Sequence, residues 1–203
     1  MARHHTGHPQ RWRAFCAVDL SEEARALAAE HLARLRRDFA HVRAGWERPE
    51  KFHVTLKFLG ELEPRRVEDL QRAAGSAASN VSPFALTLEG PGAFPPRGDA
   101  RTLWLGVGDQ ASALSELQRR LEDECASEGF PRESRSFHPH LTVARLREPA
   151  ASRALAAAHL SAAFTPLSFD VTELLVVRSE LGPGGSHYTT LSRHPLKEES
   201  SRQ

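Results

Sequence analysis

Apolar residues recur along this chain with two alternating periods, and the alternation predicts the order of its elements. Arg13 to Leu20 (RAFCAVDL) is a short apolar run that predicts a first strand. Ser21 is placed to cap a following helix, Glu22 and Glu23 suit its first turn, and Leu27, Ala28, Leu32 and Leu35 recur at helical spacing. Phe52 to Gly60 (FHVTLKFLG) then alternates. Val54, Leu56 and Phe58 share one face, and His53, Thr55 and Lys57 share the other. Pro64 opens a second helix that runs towards Ala78, and Phe84 to Glu89 predicts the next strand, followed by a Pro/Gly-rich loop from Gly90 to Ala100.

The same order then returns. Thr102 to Val107 predicts a strand, and Ala111 to Glu128 a helix closed by Gly129. Phe137 to Leu146 contains the next strand, Pro149 to Ala163 a helix, and Phe169 to Val177 another strand. A glycine-rich turn, Gly182 to Gly185, and a strand from His187 to Arg193 complete the chain. Each half therefore runs strand, helix, strand, helix, strand, and the second strand of each carries the same His-x-Thr. Two equivalent lobes related by a pseudo-twofold axis would bring the motif strands face to face across a cleft.

Composition narrows the class. The 203 residues, 40% hydrophobic and 26% charged, are ample for one compact core. A formal net charge of +1 gives no whole-molecule field to steer nucleic acid, so any polyanion contact must come from a local patch. Cys16 and Cys125 are far apart and outside any metal-ligand spacing, which suits a reducing cytoplasm rather than a disulfide framework. Cys16 sits in an apolar run and reads as core. No segment approaches the ~18 apolar residues of a membrane span. Met1 to Gln10 is polar and histidine-rich (His4, His5 and His8) and does not resemble a signal peptide. Residues 1–12 are expected to form a disordered leader, 13–196 the domain, and 197–203 a tail.

Residues i and i+2 of a strand project from one face. His53 therefore points with Thr55, and His140 with Thr142, while Val54, Leu56, Leu141 and Val143 point inward. One His-x-Thr means little, but two at equivalent points of a repeated unit call for a chemical reason. Breaking a phosphodiester needs a base on the attacking side and an acid on the leaving side, roughly in line. Histidine serves either role near neutral pH, and threonine hydroxyls can donate to the non-bridging oxygens.

The blocks GWERPEKFHVTLKFLGEL (Gly45 to Leu62) and FHPHLTVARL (Phe137 to Leu146), with RAFCAVDLSEE at the start and LGPGGSHYTTLSRHPL at the end, resemble the two-histidine (2H) phosphoesterase superfamily, and within it the LigT-like RNA 2′,3′-cyclic phosphodiesterases. The resemblance runs in order from Arg13 to Leu196. It implies a bilobal α+β fold, with two antiparallel-rich sheets and outer helices related by a pseudo-twofold around a central cleft. It implies metal-independent hydrolysis of RNA 2′,3′-cyclic phosphate ends to a 2′-phosphomonoester, with no cofactor, and a reverse 2′–5′ ligation. Carried over, His53 matches the proton donor, His140 the acceptor, and Thr55 and Thr142 the phosphate-binding threonines. The expected partners are RNA ends or nucleotides bearing a 2′,3′-cyclic phosphate, with no membrane, for a cytoplasmic monomer.

Candidate substrate contacts beyond the motifs are Lys57, Arg145, Phe137 and Tyr188. Lys57 shares the predicted face of His53 and could face phosphate at the cleft floor, although a solvated or salt-bridged role is the commoner one for such a lysine. Strict alternation turns Arg145 away from His140 unless a bulge intervenes. Trp46, Phe137 and Tyr188 could stack on a base or fill core, and Arg132 and Arg135 could meet an RNA backbone. Three alternatives stay open. A metal hydrolase could use His138, His140 and His53 as ligands; a non-catalytic module could bind nucleotide; and a phosphodiesterase could act on 2′–5′ oligonucleotides or small cyclic nucleotides.

Overall fold

In a computed structural model, residues 11–183 and 185–197 are described. The expected leader and tail fall outside these residues, save that Trp12 belongs to the first strand, where Arg178 stacks over its ring at 4.0 Å, and Lys197 donates its backbone N–H to Val81 O. Among the described residues the strands form two antiparallel sheets. The first has the order β3-β1-β8-β9: β3 is Val54–Leu62, β1 Trp12–Val18, β8 Glu173–Gly182 and β9 Gly185–Pro195. The second has the order β2-β6-β5-β4-β7: β2 is Ala44–Trp46, β6 His140–Leu146, β5 Thr102–Gly108, β4 Phe84–Phe94 and β7 Leu167–Val171.

The repeat is present, but its halves are not self-contained lobes. The third strand of each half crosses into the other half's sheet: β4 pairs with β5, and β8 pairs with β1. The predicted strand Phe169 to Val177 is in fact two, broken at Thr172, with β7 in one sheet and β8 in the other. The Pro/Gly loop expected from Gly90 is likewise strand as far as Phe94. There Pro91 is tolerated because the β4–β5 register slips between Leu88 and Pro91. Helices exchange in the same way. Helix α1 (Glu22–Asp38) follows a strand of the first sheet but packs on α4 (Arg153–Ser161) and β7, whereas α3 (Ala113–Ser127) packs on α2 (Val67–Ala78) and β3. The exchange fuses the two repeats into one body with a continuous core.

That core lies between the sheets and their outer helices. On β1, Ala14, Cys16 and Val18 join it, while Phe15 and Ala17 face the other way with Leu175, Val177 and Tyr188. This second, smaller apolar face is the floor of the cleft. No helix among the described residues is long and apolar enough to cross a membrane.

Candidate active site

His53 stands one residue before β3 and His140 opens β6. The two motif strands approach each other across the cleft. Each imidazole is set by the same local bond. His53 Nδ1 lies 2.7 Å from Lys51 O, and His140 Nδ1 lies 2.7 Å from His138 O. A carbonyl only accepts, so each Nδ1 carries the hydrogen and each neutral ring keeps its free lone pair on Nε2. The turn before His53 is itself fastened. Arg25, ion-paired with Asp19, donates to Pro49 O at 2.6 Å and Phe52 O at 3.1 Å, and Phe52 is fully inside the core.

Burial lowers the pKa of both histidines. For His53 desolvation is partly offset by the Lys51 carbonyl and by Asp19, while Arg25 and His140 push further down. For His140 desolvation is partly offset by the His138 carbonyl, and Arg145 and His138 add to the lowering. Rings surround both imidazoles. Phe15 stacks on His53 with centroids 4.7 Å apart, and Tyr188 meets His53 edge-on at 5.5 Å. Phe94 meets His140 edge-on at 5.2 Å, with Trp104 at 6.1 Å. The indole of Trp104 lies directly on Gly92, where a Cβ would stand 2.0 Å from the ring.

Thr55 and Thr142 share the faces of their histidines. Thr55 pairs with Ala17 on the cleft side of β1, and Thr142 pairs with Trp104. Just past each threonine the strand bulges, and the two bulges match. In β3 the register skips Leu56, so Lys57 pairs with Cys16 and Phe58 with Phe15. In β6 it skips Val143, so Ala144 pairs with Leu103 and Arg145 with Thr102. An extra residue reverses the alternation. Arg145 is thereby turned onto the face of His140 and Thr142, where its charge acts on both His140 and the Tyr188 hydroxyl.

The same bulge overturns the expected place of Lys57. It is 4% exposed, on the core side, with Nζ 2.7 Å from Glu122 Oε2 and 2.9 Å from Pro131 O. It therefore lies away from the cleft floor, because the parity that aligned it with His53 ends at Leu56. Phe58, assigned to the core by that parity, is instead 62% exposed on the cleft face. Phe137 and Trp46 pack against the core, whereas Tyr188 lines the cleft floor with Lys51 Nζ 5.7 Å above its ring. Arg132 pairs with Asp123 and Arg135 with Glu133, so both loop arginines have carboxylate partners. Among the described residues no group of three or more His, Cys, Asp or Glu side chains is arranged to hold a metal ion. Sequence pattern alone missed Phe15 and Phe58, since neither the stack on His53 nor the bulge leaves a local signature.

The chain matches the family described as the 2′-5′ RNA ligase superfamily over residues 22–183. It is 34% identical over 182 residues to the RNA 2′,3′-cyclic phosphodiesterase of Methanothermobacter thermautotrophicus, covering 88% of this chain and 96% of that protein. The Geobacillus stearothermophilus RNA 2′,3′-cyclic phosphodiesterase is 35% identical over 157 residues, covering 74% of this chain but 47% of that longer protein. Among solved structures, a Thermus thermophilus protein, TT0787, superposes with a TM-score of 0.73 at 28% identity, covering 91% of this chain and 97% of that one. Escherichia coli LigT complexed with 3′-AMP superposes with a TM-score of 0.70 at 28% identity, covering 93% and 100%.

Proposed function

This chain belongs to the 2′-5′ RNA ligase superfamily, and from that premise we propose that it hydrolyses 2′,3′-cyclic phosphate ends of RNA to 2′-phosphomonoesters. The observation that carries this reading is the matched pair of imidazoles. Each is tautomerically fixed by a carbonyl two residues upstream, so each offers Nε2 to a phosphate held between the motif strands. The relatives named RNA 2′,3′-cyclic phosphodiesterase support the choice of substrate.

In the forward reaction, His140 takes a proton from the attacking water through Nε2 as the water oxygen bonds to phosphorus. His53, protonated, gives its Nε2 proton to the departing 3′ oxygen as the P–O3′ bond breaks. A 2′-phosphomonoester and a free 3′ hydroxyl result, and the protons balance. Thr55 and Thr142 donate their hydroxyls to the non-bridging oxygens, where the negative charge sits, and Arg145 adds a cation on the same face. A bound phosphate raises the pKa of both rings, opposing the effect of burial. Ligation follows the same course with a 5′ hydroxyl in place of water: His140 takes its proton, the 2′–5′ bond forms as P–O3′ breaks, and His53 protonates the 3′ oxygen; cleavage of that 2′–5′ bond by the 3′ hydroxyl exchanges the two roles.

The test is the position of the phosphate in the product. With RNA ending in a 2′,3′-cyclic phosphate, phosphorus NMR should find it on the 2′ oxygen. A 3′-phosphate would overturn the substrate geometry.

A further inference from the structure

His31 of α1 and His159 of α4 meet where those helices pack together, and they are 1% and 0% accessible. Neither takes part in the proposed reaction. Burying a polar ring is costly unless its nitrogens are satisfied, and the bonds here run in one direction. His159 Nε2 lies 3.1 Å from both Gly92 O and Trp104 O. Carbonyls only accept, so Nε2 carries the hydrogen and donates to both. Its Nδ1 then takes the hydrogen of His31 Nε2, 3.0 Å away. His31 thereby holds His159 in the neutral tautomer that serves the carbonyls.

Gly92 and Trp104 are cross-strand partners at a place where the ladder slips on both sides of β5. One slip is between Leu88 and Pro91 of β4, the other between Leu103 and Trp104 against β6. A slipped ladder leaves carbonyls that need other donors, and one imidazole serves both here. The same two residues seat the indole beside His140. The ring lies directly on Gly92, and its centroid is 6.1 Å from that of His140. Among the described residues its buried Nε1 has no hydrogen-bond partner, so packing and backbone locate the ring. Trp104 is also the cross-strand partner of Thr142. A shift between Gly92 and Trp104 therefore moves the wall against which His140 and Thr142 stand.

We propose that His159, held by His31, is a positioning residue for the acid–base chemistry of His140. Its N–H clamps the Gly92 and Trp104 carbonyls and so fixes the indole wall of the site. This rests on the role proposed for His140. A donor with a purely structural task could sit on any buried carbonyls, whereas this one sits on the two residues whose separation sets the indole.

The test compares His159→Phe, which fills the space without a donor, with His159→Gln, which returns an N–H. Each is made in the wild-type chain and in a Trp104→Leu background, with folding checked by circular dichroism. Two quantities are read: the single-turnover rate on RNA ending in a 2′,3′-cyclic phosphate, and the indole N–H resonance of Trp104. His159→Phe should lower the rate by about 10- to 100-fold, the scale of a misplaced catalytic group, and move the resonance. His159→Gln should restore most of both. In the Trp104→Leu background His159→Phe should cost less than about threefold further, because the ring it acts through is gone. A wild-type rate in His159→Phe, an unmoved resonance, or losses that multiply in the double variant would overturn the proposal. Should His159→Phe not fold, His31→Leu combined with His159→Leu replaces the polar pair as a unit and carries the same expectations. A wild type without turnover, whose indole resonance still responds to His159→Phe, would remove the reaction and leave the clamp.

Discussion

Lys57 Nζ lies 2.7 Å from Glu122 Oε2, and this buried ion pair ties the first motif strand to the approach of the second. The same ammonium donates to Pro131 O at 2.9 Å, and the same carboxylate oxygen accepts from Glu133 N at 3.2 Å. The segment that runs on to His140 is thus anchored beneath the strand that follows His53. Among the described residues Glu122 Oε1 is buried without a hydrogen-bond partner, so the carboxylate is held through Oε2, by the lysine and by Glu133 N.

Removing one member of the pair leaves an uncompensated buried charge. Lys57→Met is expected to destabilise the fold by about 3–5 kcal/mol, and adding Glu122→Leu should recover most of the loss. Chemical denaturation checks this; a double variant no more stable than the single one would contradict it.

Burial holds His53 and His140 below the ordinary histidine value in the free protein. The general acid must be protonated, so its activity fades as pH rises through that lowered pKa. The alkaline limb of kcat/KM, which reports the free enzyme, should therefore have its midpoint below about pH 6.5. Substrate phosphate raises both pKa values, so the alkaline limb of kcat should lie at higher pH. Initial-rate profiles read both limbs.

His31 of α1 and His159 of α4 form a second, wholly buried pair. His159 Nε2 donates to Gly92 O and Trp104 O, each at 3.1 Å, so its Nδ1 accepts from His31 Nε2 at 3.0 Å. Burial, with help from His159 and Arg34, pushes the His31 pKa down to about 4. The unfolded chain therefore binds the extra proton first. Stability is complete above about pH 6.5 and declines as pH falls towards 4, by an amount on the order of 3 kcal/mol. His31→Gln, which keeps a donor for His159, should flatten this slope in denaturation measured across that range.

Gly92 leaves room for the Trp104 indole, and an added Cβ would stand 2.0 Å from it. Gly92→Ala should cost about 1–3 kcal/mol by overpacking. It should also lower kcat, because the displaced indole flanks His140. Tryptophan fluorescence and steady-state rates would follow the two effects together.

Much of this architecture is legible in the sequence because period and spacing are local. The 2.0 period places Val54 and Leu56 inside and Thr55 outside, the helical spacing finds Leu32 and Leu35 of α1, and the flanking blocks identify the family. What escapes is set by pairing between distant strands. Nothing near Leu56 or Val143 marks the bulges that bury Lys57 and turn Phe58 and Arg145 into the cleft. Nor does anything near Thr172 mark the point where one apolar run divides between two sheets.

In the proposed reaction His53 and His140 act as a metal-independent acid–base pair on a cyclic phosphodiester. Its most direct test is the single-turnover rate on RNA ending in a 2′,3′-cyclic phosphate, after exhaustive EDTA treatment, for the wild type, His53→Ala and His140→Ala. An undiminished wild-type rate and a loss of about 10²- to 10⁴-fold in each variant are expected. A wild-type rate abolished by EDTA, or a variant that turns over at the wild-type rate, would contradict it.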